Sequence, residues 1–161
     1  MDEDRNPVGP SISPAAMAAW RAFLEAHARI TGRLARELDE GCGLPLTWYD
    51  VLVQLSEVPG NRLRMGELAG RVLLSRAGFT RLVDRMAAAG LVEREPCPDD
   101  RRGFFVTLTQ AGHDRLREAA PVHLQSIAVH FAAEISAAEA DALRGVLSRL
   151  AARASRGGTA G

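Results

Sequence analysis

Apolar residues recur along this chain with a helical period at both ends, and change to a strand-like rhythm only between residues 91 and 108. The first amphipathic run places Trp20, Phe23, Leu24, His27, Ile30, Leu34 and Leu38 on one stripe. Ser13 can cap this helix and Pro14 suits its first position, where a missing N–H costs nothing. It is expected to run to about Glu40 and to stop at Gly41-Cys42-Gly43. A second helix is predicted over 46–58, with Thr47 as N-cap, Asp50 reaching back to it, and Leu46 stapled to Val51. Pro59-Gly60-Asn61 then turns the chain, and Leu63 falls in a short strand.

The next stretch sets the architecture. A short helix over 66–73 is closed by a Leu74-Ser75 turn and followed by a helix over 76–89 that Gly90 stops. Phe79, Leu82, Val83 and Met86 give this helix one buried face. Its other face carries Arg76, Thr80, Arg81 and Arg85, behind Ser75 as N-cap. Two β-like runs, 91–94 and 104–108, flank a charged loop over 96–103. Two helices joined by a tight turn, then a hairpin with a basic tip, predict a winged helix-turn-helix. Thr109 opens a further helix to about Ile135, with Leu116, Ala120, Leu124, Ile127 and Phe131 in register and Pro121 as a kink. Ser136 and Glu139 form a capping box for a last helix bearing Leu143, Val146, Leu147 and Leu150.

The fold class expected is mainly α with a small β-hairpin wing. Its parts are a flexible arm (1–12), a dimerisation helix (13–45), a winged helix-turn-helix (46–108), C-terminal dimerisation helices (109–152) and a flexible tail (153–161). Long amphipathic helices at both ends have too little to bury against in one protomer, so a symmetric homodimer is expected. Two recognition helices would then fall in successive major grooves, about 34 Å apart, on a pseudo-palindrome.

Charge changes the picture only locally. Twenty Lys+Arg, all of them Arg, balance twenty Asp+Glu, which excludes a globally basic, non-specific nucleic-acid binder. Between Ser75 and Leu91 there are three Arg against Asp84 alone, and Arg71, Arg101 and Arg102 flank that helix. Acids collect elsewhere, at Asp2, Glu3 and Asp4, at Glu37, Asp39 and Glu40, and at Glu134, Glu139 and Asp141. A neutral chain with one basic face fits double-stranded DNA at moderate salt. Arg76, Ala77, Thr80 and Arg81 are the expected groove contacts, and Ser75 and Arg85 the expected phosphate contacts. Asp99, Asp100, Arg101 and Arg102 lie at the expected hairpin tip, where an Arg can enter the minor groove and an Asp can orient it. The abundance of Arg over Lys across the chain as a whole reads as genome composition.

The stretch LAGRVLLSRAGFTRLVDRMAAAGLVER, the run DDRRGFFVTLT and the helix starting at Thr109 resemble the MarR family of bacterial transcriptional regulators. The resemblance is strong over about 46–116 and extends to the flanking helices by layout. The family's wing pattern, Asp-x-Arg and a small residue, falls on Asp100, Arg101, Arg102 and Gly103. Gly78 departs from it: the family more often has a small hydroxyl residue there, so one possible DNA contact is missing. The resemblance implies a homodimeric DNA-binding regulator, commonly a repressor, released by a small, often aromatic and anionic, ligand. The crevice for such a ligand would be lined by Trp20, Phe23, His27, Trp48 and Leu52, residues that helical spacing equally assigns to the core. Release would be a population shift toward a spacing of the recognition helices that does not match DNA.

No phosphate loop, nucleophile elbow, His-Glu-x-x-His or paired-Cys metal motif occurs, so no enzyme, cofactor or metal is expected. His123 and His130 share a helix face, a weak metal signal and more simply surface or interface histidines. Cys42 and Cys97 offer an alternative, a thiol-redox regulator. Arg94 and Arg101 near Cys97 could lower its pKa, although the family's peroxide-sensing Cys lies near the start of the first helix, where this chain has none. A winged helix used only for protein contacts is a second alternative, and it has no need of four outward Arg. No apolar run approaches the ~20 residues of a membrane span and the N-terminus lacks a signal-peptide core, so a cytoplasmic protein is expected.

Overall fold

The computed structural model describes residues 11–72, 76–98 and 100–157. Helix α1 (Pro14–Cys42) starts where the sequence places it, with Ser13 Oγ accepting from Ala16 N at 3.2 Å. It runs two residues past Glu40, because only Gly43 takes the left-handed φ of 62° that turns the chain out. Helix α2 (Leu46–Ser56) corrects the expected cap. Pro45 precedes the helix in extended backbone and its carbonyl takes both Trp48 N and Tyr49 N. Thr47 therefore lies inside the first turn, and Asp50 contacts Gln54 rather than reaching back.

Strand β1 (Arg62–Arg64) pairs with β3 (Asp100–Leu108), which pairs with β2 (Val92–Cys97), giving a three-stranded antiparallel sheet of order β1-β3-β2. Leu63 stands opposite Val106, as a strand against the wing requires. Helices α3 (Met65–Arg71) and α4 (Arg76–Ala88) lie between β1 and β2 in sequence. Phe79, Leu82, Val83 and Met86 are all buried. They meet Leu52 and Leu55 of α2, Leu68 of α3 and Val92 and Val106 of the sheet in one core. The core extends to Leu38 of α1 and, through Ala119, to α5 (Gln110–His130). Where the chain enters α5, Thr109 Oγ1 accepts from Gly112 N at 3.0 Å and donates to Gly90 O at 2.7 Å, tying the end of α4 to the start of α5.

The helix expected to reach Ile135 stops at His130. Phe131 leaves helical space (φ −134°, ψ −58°), a 3-10 turn follows over Ala132–Glu134, and α6 (Ala137–Gly157) begins after Ser136. Nothing in the composition of Phe131-Ala-Ala-Glu breaks a helix. The reversal is a tertiary choice that brings Leu143 and Leu147 of α6 to a groove shared with Phe23 and Ile30 of α1. The expected capping box is formed, with Ser136 N donating to Glu139 Oε2 at 2.8 Å and Glu139 N to Ser136 Oγ at 3.3 Å. Helix α6 continues to Gly157, beyond the Ala152 at which the sequence suggested a tail.

Helices α1 and α5 are pinned by a polar cluster. Glu37 accepts from Ser126 Oγ at 2.6 Å and pairs with His130 Nε2 at 2.7 Å. These two hydrogen bonds hold the Glu37 carboxyl below its ordinary range. Arg115 of α5 donates to the carbonyl of Cys42 at the end of α1. Among the described residues, no helix is long and apolar enough to cross a membrane.

Candidate nucleic-acid interface

With the apolar face of α4 sealed in the core, Gly78, Thr80, Arg81, Asp84 and Arg85 lie on its exposed side. Arg81 and Arg85 are four residues apart, so both guanidiniums leave the same face. Arg76 and Ala77 occupy the first turn of α4 by their backbone. Ser75, the expected cap and phosphate contact, lies outside the described residues. Gly90 adopts φ 73° and ends the helix, with Leu91 N donating to Met86 O at 3.0 Å and Gly90 N to Ala87 O at 2.9 Å.

The wing is longer and tighter than the sequence reading. Its strands reach Cys97 and restart at Asp100, so most of the expected loop over 96–103 is strand. Cys97 stands opposite Asp100, with a register irregularity between Pro96 and Cys97. Asp100, Arg101 and Arg102 are therefore the first residues of β3, not the apex of a loop, and Asp99 lies outside the described residues. Two physical facts explain the difference. Asp, Arg and Gly have turn propensities that speak against a strand in isolation. Pro96 signals a strand end, yet β2 is an edge strand, the one place in a sheet that accommodates Pro. The carboxylate of Asp100 folds back over Gly103, where a Cβ would meet Asp100 Oδ2 at 2.6 Å. A side chain at 103 would push that carboxylate out.

Arg94 is marked in the sequence only as a neighbour of Cys97. It stands opposite Val106 on the inner face of the sheet, ion-paired to Asp84 of α4 and stacked on Phe104, with 4.4 Å from guanidinium to ring centroid. On the outer face Arg62 stacks on Phe105 at 3.8 Å and pairs with Glu95 at 3.1 Å. Arg94 is thus a strut between α4 and the wing. The pair is partly exposed, so Arg94→Ala should lower stability by only about 1 kcal/mol or less. Amide hydrogen exchange in β2 and β3 should nevertheless accelerate while that of α2 stays as it was. Equal protection in wild type and variant would show that the strut does not hold the wing.

The residues expected to form a ligand crevice separate in the fold. Leu52 is fully buried in the core. Trp48 packs half-buried against the same core. Trp20 and Phe23 are exposed on α1, and Phe23 faces the groove toward α6. His27 alone of the five borders a cavity of about 430 Å³ between α1, α2 and α5, together with Thr31, Leu34, Tyr49, Asp50, Val53 and His123. Tyr49 and His123 have ring centroids 4.4 Å apart. Burial pushes the Asp50 carboxyl up, with Glu57 adding to it and Gln54 and His123 opposing. Burial pushes His123 down, against the pull of Asp50. Asp50 and His123 were missed as partners because 73 residues separate them and only the packing of α2 on α5 joins them. His123 and His130, seven apart, take different partners, Tyr49 and Glu37. Of the two thiols, Cys97 is 4% exposed, and Cys42 is half-buried with its Sγ donating to Leu38 O at 3.1 Å.

A family model described as MarR family matches residues 43–103. Among solved structures, AbsC of Streptomyces coelicolor, a MarR family transcriptional regulator, is 34% identical with a TM-score of 0.82, covering 92% of this chain and 99% of that one. Sco3205 of the same organism, a MarR family transcriptional regulator in complex with DNA, is 32% identical with a TM-score of 0.84, covering 95% of this chain and 96% of that one. The transcriptional repressor MprA of Escherichia coli is 29% identical over 111 residues, 69% of this chain. That match spans 62% of MprA, less than two thirds of its length.

Proposed function

This chain belongs to the MarR family of transcriptional regulators, and from that premise we propose that it is a homodimeric repressor that holds a pseudo-palindromic duplex through α4 and the wing and releases it when a small molecule fills the cavity between α1, α2 and α5. Residues 46–108 form the DNA-reading unit, and α1, α5 and α6 the dimerisation unit. The observation that carries the reading is the division of α4: four apolar side chains sealed in the core, Thr80, Arg81 and Arg85 turned outward, and a wing strutted to the same helix by Arg94. A helix presented this way fits a major groove, and a thin β-ribbon beside it fits the adjoining minor groove. Sco3205 was solved on DNA and MprA is named a repressor, which supports both the partner and the sign of regulation.

In this reading Arg76, Ala77, Thr80 and Arg81 meet base edges, and Ser75 and Arg85 meet phosphates. Arg101 and Arg102 serve the wing, with Arg102 in the minor groove and Asp100 as its orienting acid. The test is fluorescence anisotropy with duplex DNA from upstream of the chain's own gene, at two salt concentrations, against a scrambled duplex. Specific binding that weakens with salt is expected. Arg81→Ala should cost about 1–3 kcal/mol and relax sequence preference, whereas Arg102→Ala should reduce the salt slope by about one. Equal, weak binding to both duplexes, unchanged by either substitution, would favour a winged helix that serves protein contacts.

A further inference from the structure

The cavity between α1, α2 and α5 is the effector site of the proposed function, and the present inference rests on that reading while fixing the chemistry of what enters. We infer that the ligand is an aromatic compound whose headgroup donates hydrogen bonds through nitrogen, an amidine, amine or amide, and not a carboxylate. The cavity, about 430 Å³, has the size of a site for a small organic molecule. Leu34, Leu46 and Val53 supply apolar wall, and Tyr49 and His123 put aromatic surface next to Asp50.

The charge of the lining decides the headgroup. The chain carries twenty basic residues, all Arg, yet no described arginine lines this cavity. Among the described lining residues Asp50 is the one carboxylate, and Glu57, just past the end of α2, acts on it electrostatically. The contact of Asp50 within the chain is the Gln54 amide at 3.5 Å, a long bond that leaves the carboxylate with capacity to accept. His27, Tyr49 and His123 are the other titratable groups among the described residues of the wall. A buried anion needs a counter-charge or several donors. Among the described lining residues, His27 and His123 are the groups able to become cations, and burial disfavours the protonated form of His123, the one that acts on Asp50. An anionic ligand would therefore face Asp50 with no arginine among the described lining residues to offset it. A cationic or neutral nitrogen donor instead meets an acceptor already in place, by a charge-assisted bond in the cationic case.

Three probes share one ring and differ in headgroup: naphthalene-1-carboxamidine, naphthalene-1-carboxamide and naphthalene-1-carboxylate. Each is titrated calorimetrically into the full-length chain, into Asp50→Asn, and into Val53→Trp, which fills the cavity. Circular dichroism establishes that both variants are folded. The amidine should bind at least about ten-fold more tightly than the carboxylate, equivalent to about 1.4 kcal/mol, with the amide between them. Asp50→Asn should bring the amidine and carboxylate within about two-fold of each other, and Val53→Trp should abolish binding of all three. Tightest binding by the carboxylate, lost in Val53→Trp, would overturn the inference and leave the cavity as the effector site. Absence of any binding that Val53→Trp removes would overturn both.

Discussion

Gly112→Ala should be among the most damaging single-methyl changes in this protein, although on helix propensity alone it should help. A Cβ at position 112 would stand 2.2 Å from the carbonyl oxygen of Leu91 and 2.5 Å from Leu108 Cδ1. The first contact is with backbone, so no rotamer change relieves it. The N-terminal turn of α5 would have to lift away from the root of the wing. That movement strains three bonds made there: Thr109 N to Leu91 O at 3.2 Å, Thr109 Oγ1 to Gly90 O, and Gly112 N to Thr109 Oγ1. Overpacking of this kind costs about 1–3 kcal/mol and more when backbone must shift. The gain of Ala over Gly in a helix is about 1 kcal/mol. A net loss of about 2 kcal/mol in urea unfolding at unchanged m-value is expected. Gly32→Ala is the internal control, since Gly32 lies within α1 with nothing within 4 Å of its Cβ position, and it should stabilise by up to about 1 kcal/mol. If both substitutions stabilise alike, α5 is not packed on Leu91 as closely as the structure has it.

Gly112 also marks the boundary of what the sequence can say. Its φ is ordinary and its neighbours are helical, so no turn signal announces it; only the approach of a distant carbonyl requires it. Where a local rule and the tertiary fold agree, the sequence reading holds. The stop at Gly90, the Ser13 and Thr109 caps and the Ser136–Glu139 box all rest on contacts within a few residues, and the buried face of α4 on a periodicity legible in the sequence. Local rules misplace features that depend on partners far along the chain. The wing strands lengthen through Asp100 and Arg102 because cross-strand pairing outweighs turn propensity. Leu52 turns into the core and Asp50 toward a cavity because α1 and α5 decide which side of α2 is inside. Arg94 is invisible as a strut until Asp84 and Phe104 come within its reach.

The stripe along α1 poses the reverse case, a pattern legible in sequence that a single protomer leaves unsatisfied. Trp20, Phe23 and Leu24 remain exposed, as do Leu124, Val129 and Phe131 on α5 and its end, and Val146 and Leu150 on α6. Large apolar side chains left exposed on three elements fit a surface that meets a partner. A second copy of this chain is the occupant the proposed function requires. Val146 and Leu150, 44% and 58% exposed and four residues apart on α6, contribute little to the protomer's own core. Val146→Glu with Leu150→Glu should therefore leave the protomer folded, as judged by far-UV circular dichroism, and convert it from dimer to monomer in light scattering. Loss of the second recognition helix removes the effective-concentration advantage of a two-site contact, so affinity for a palindromic duplex should fall by about 10²–10⁴-fold. Affinity for an isolated half-site should change little, because α4 and the wing are untouched. Arg81→Ala should show the opposite pattern, a full dimer with weakened binding to half-site and palindrome alike. A double variant that stays dimeric and holds the palindrome as tightly as wild type would place the dimer contact elsewhere than on α6.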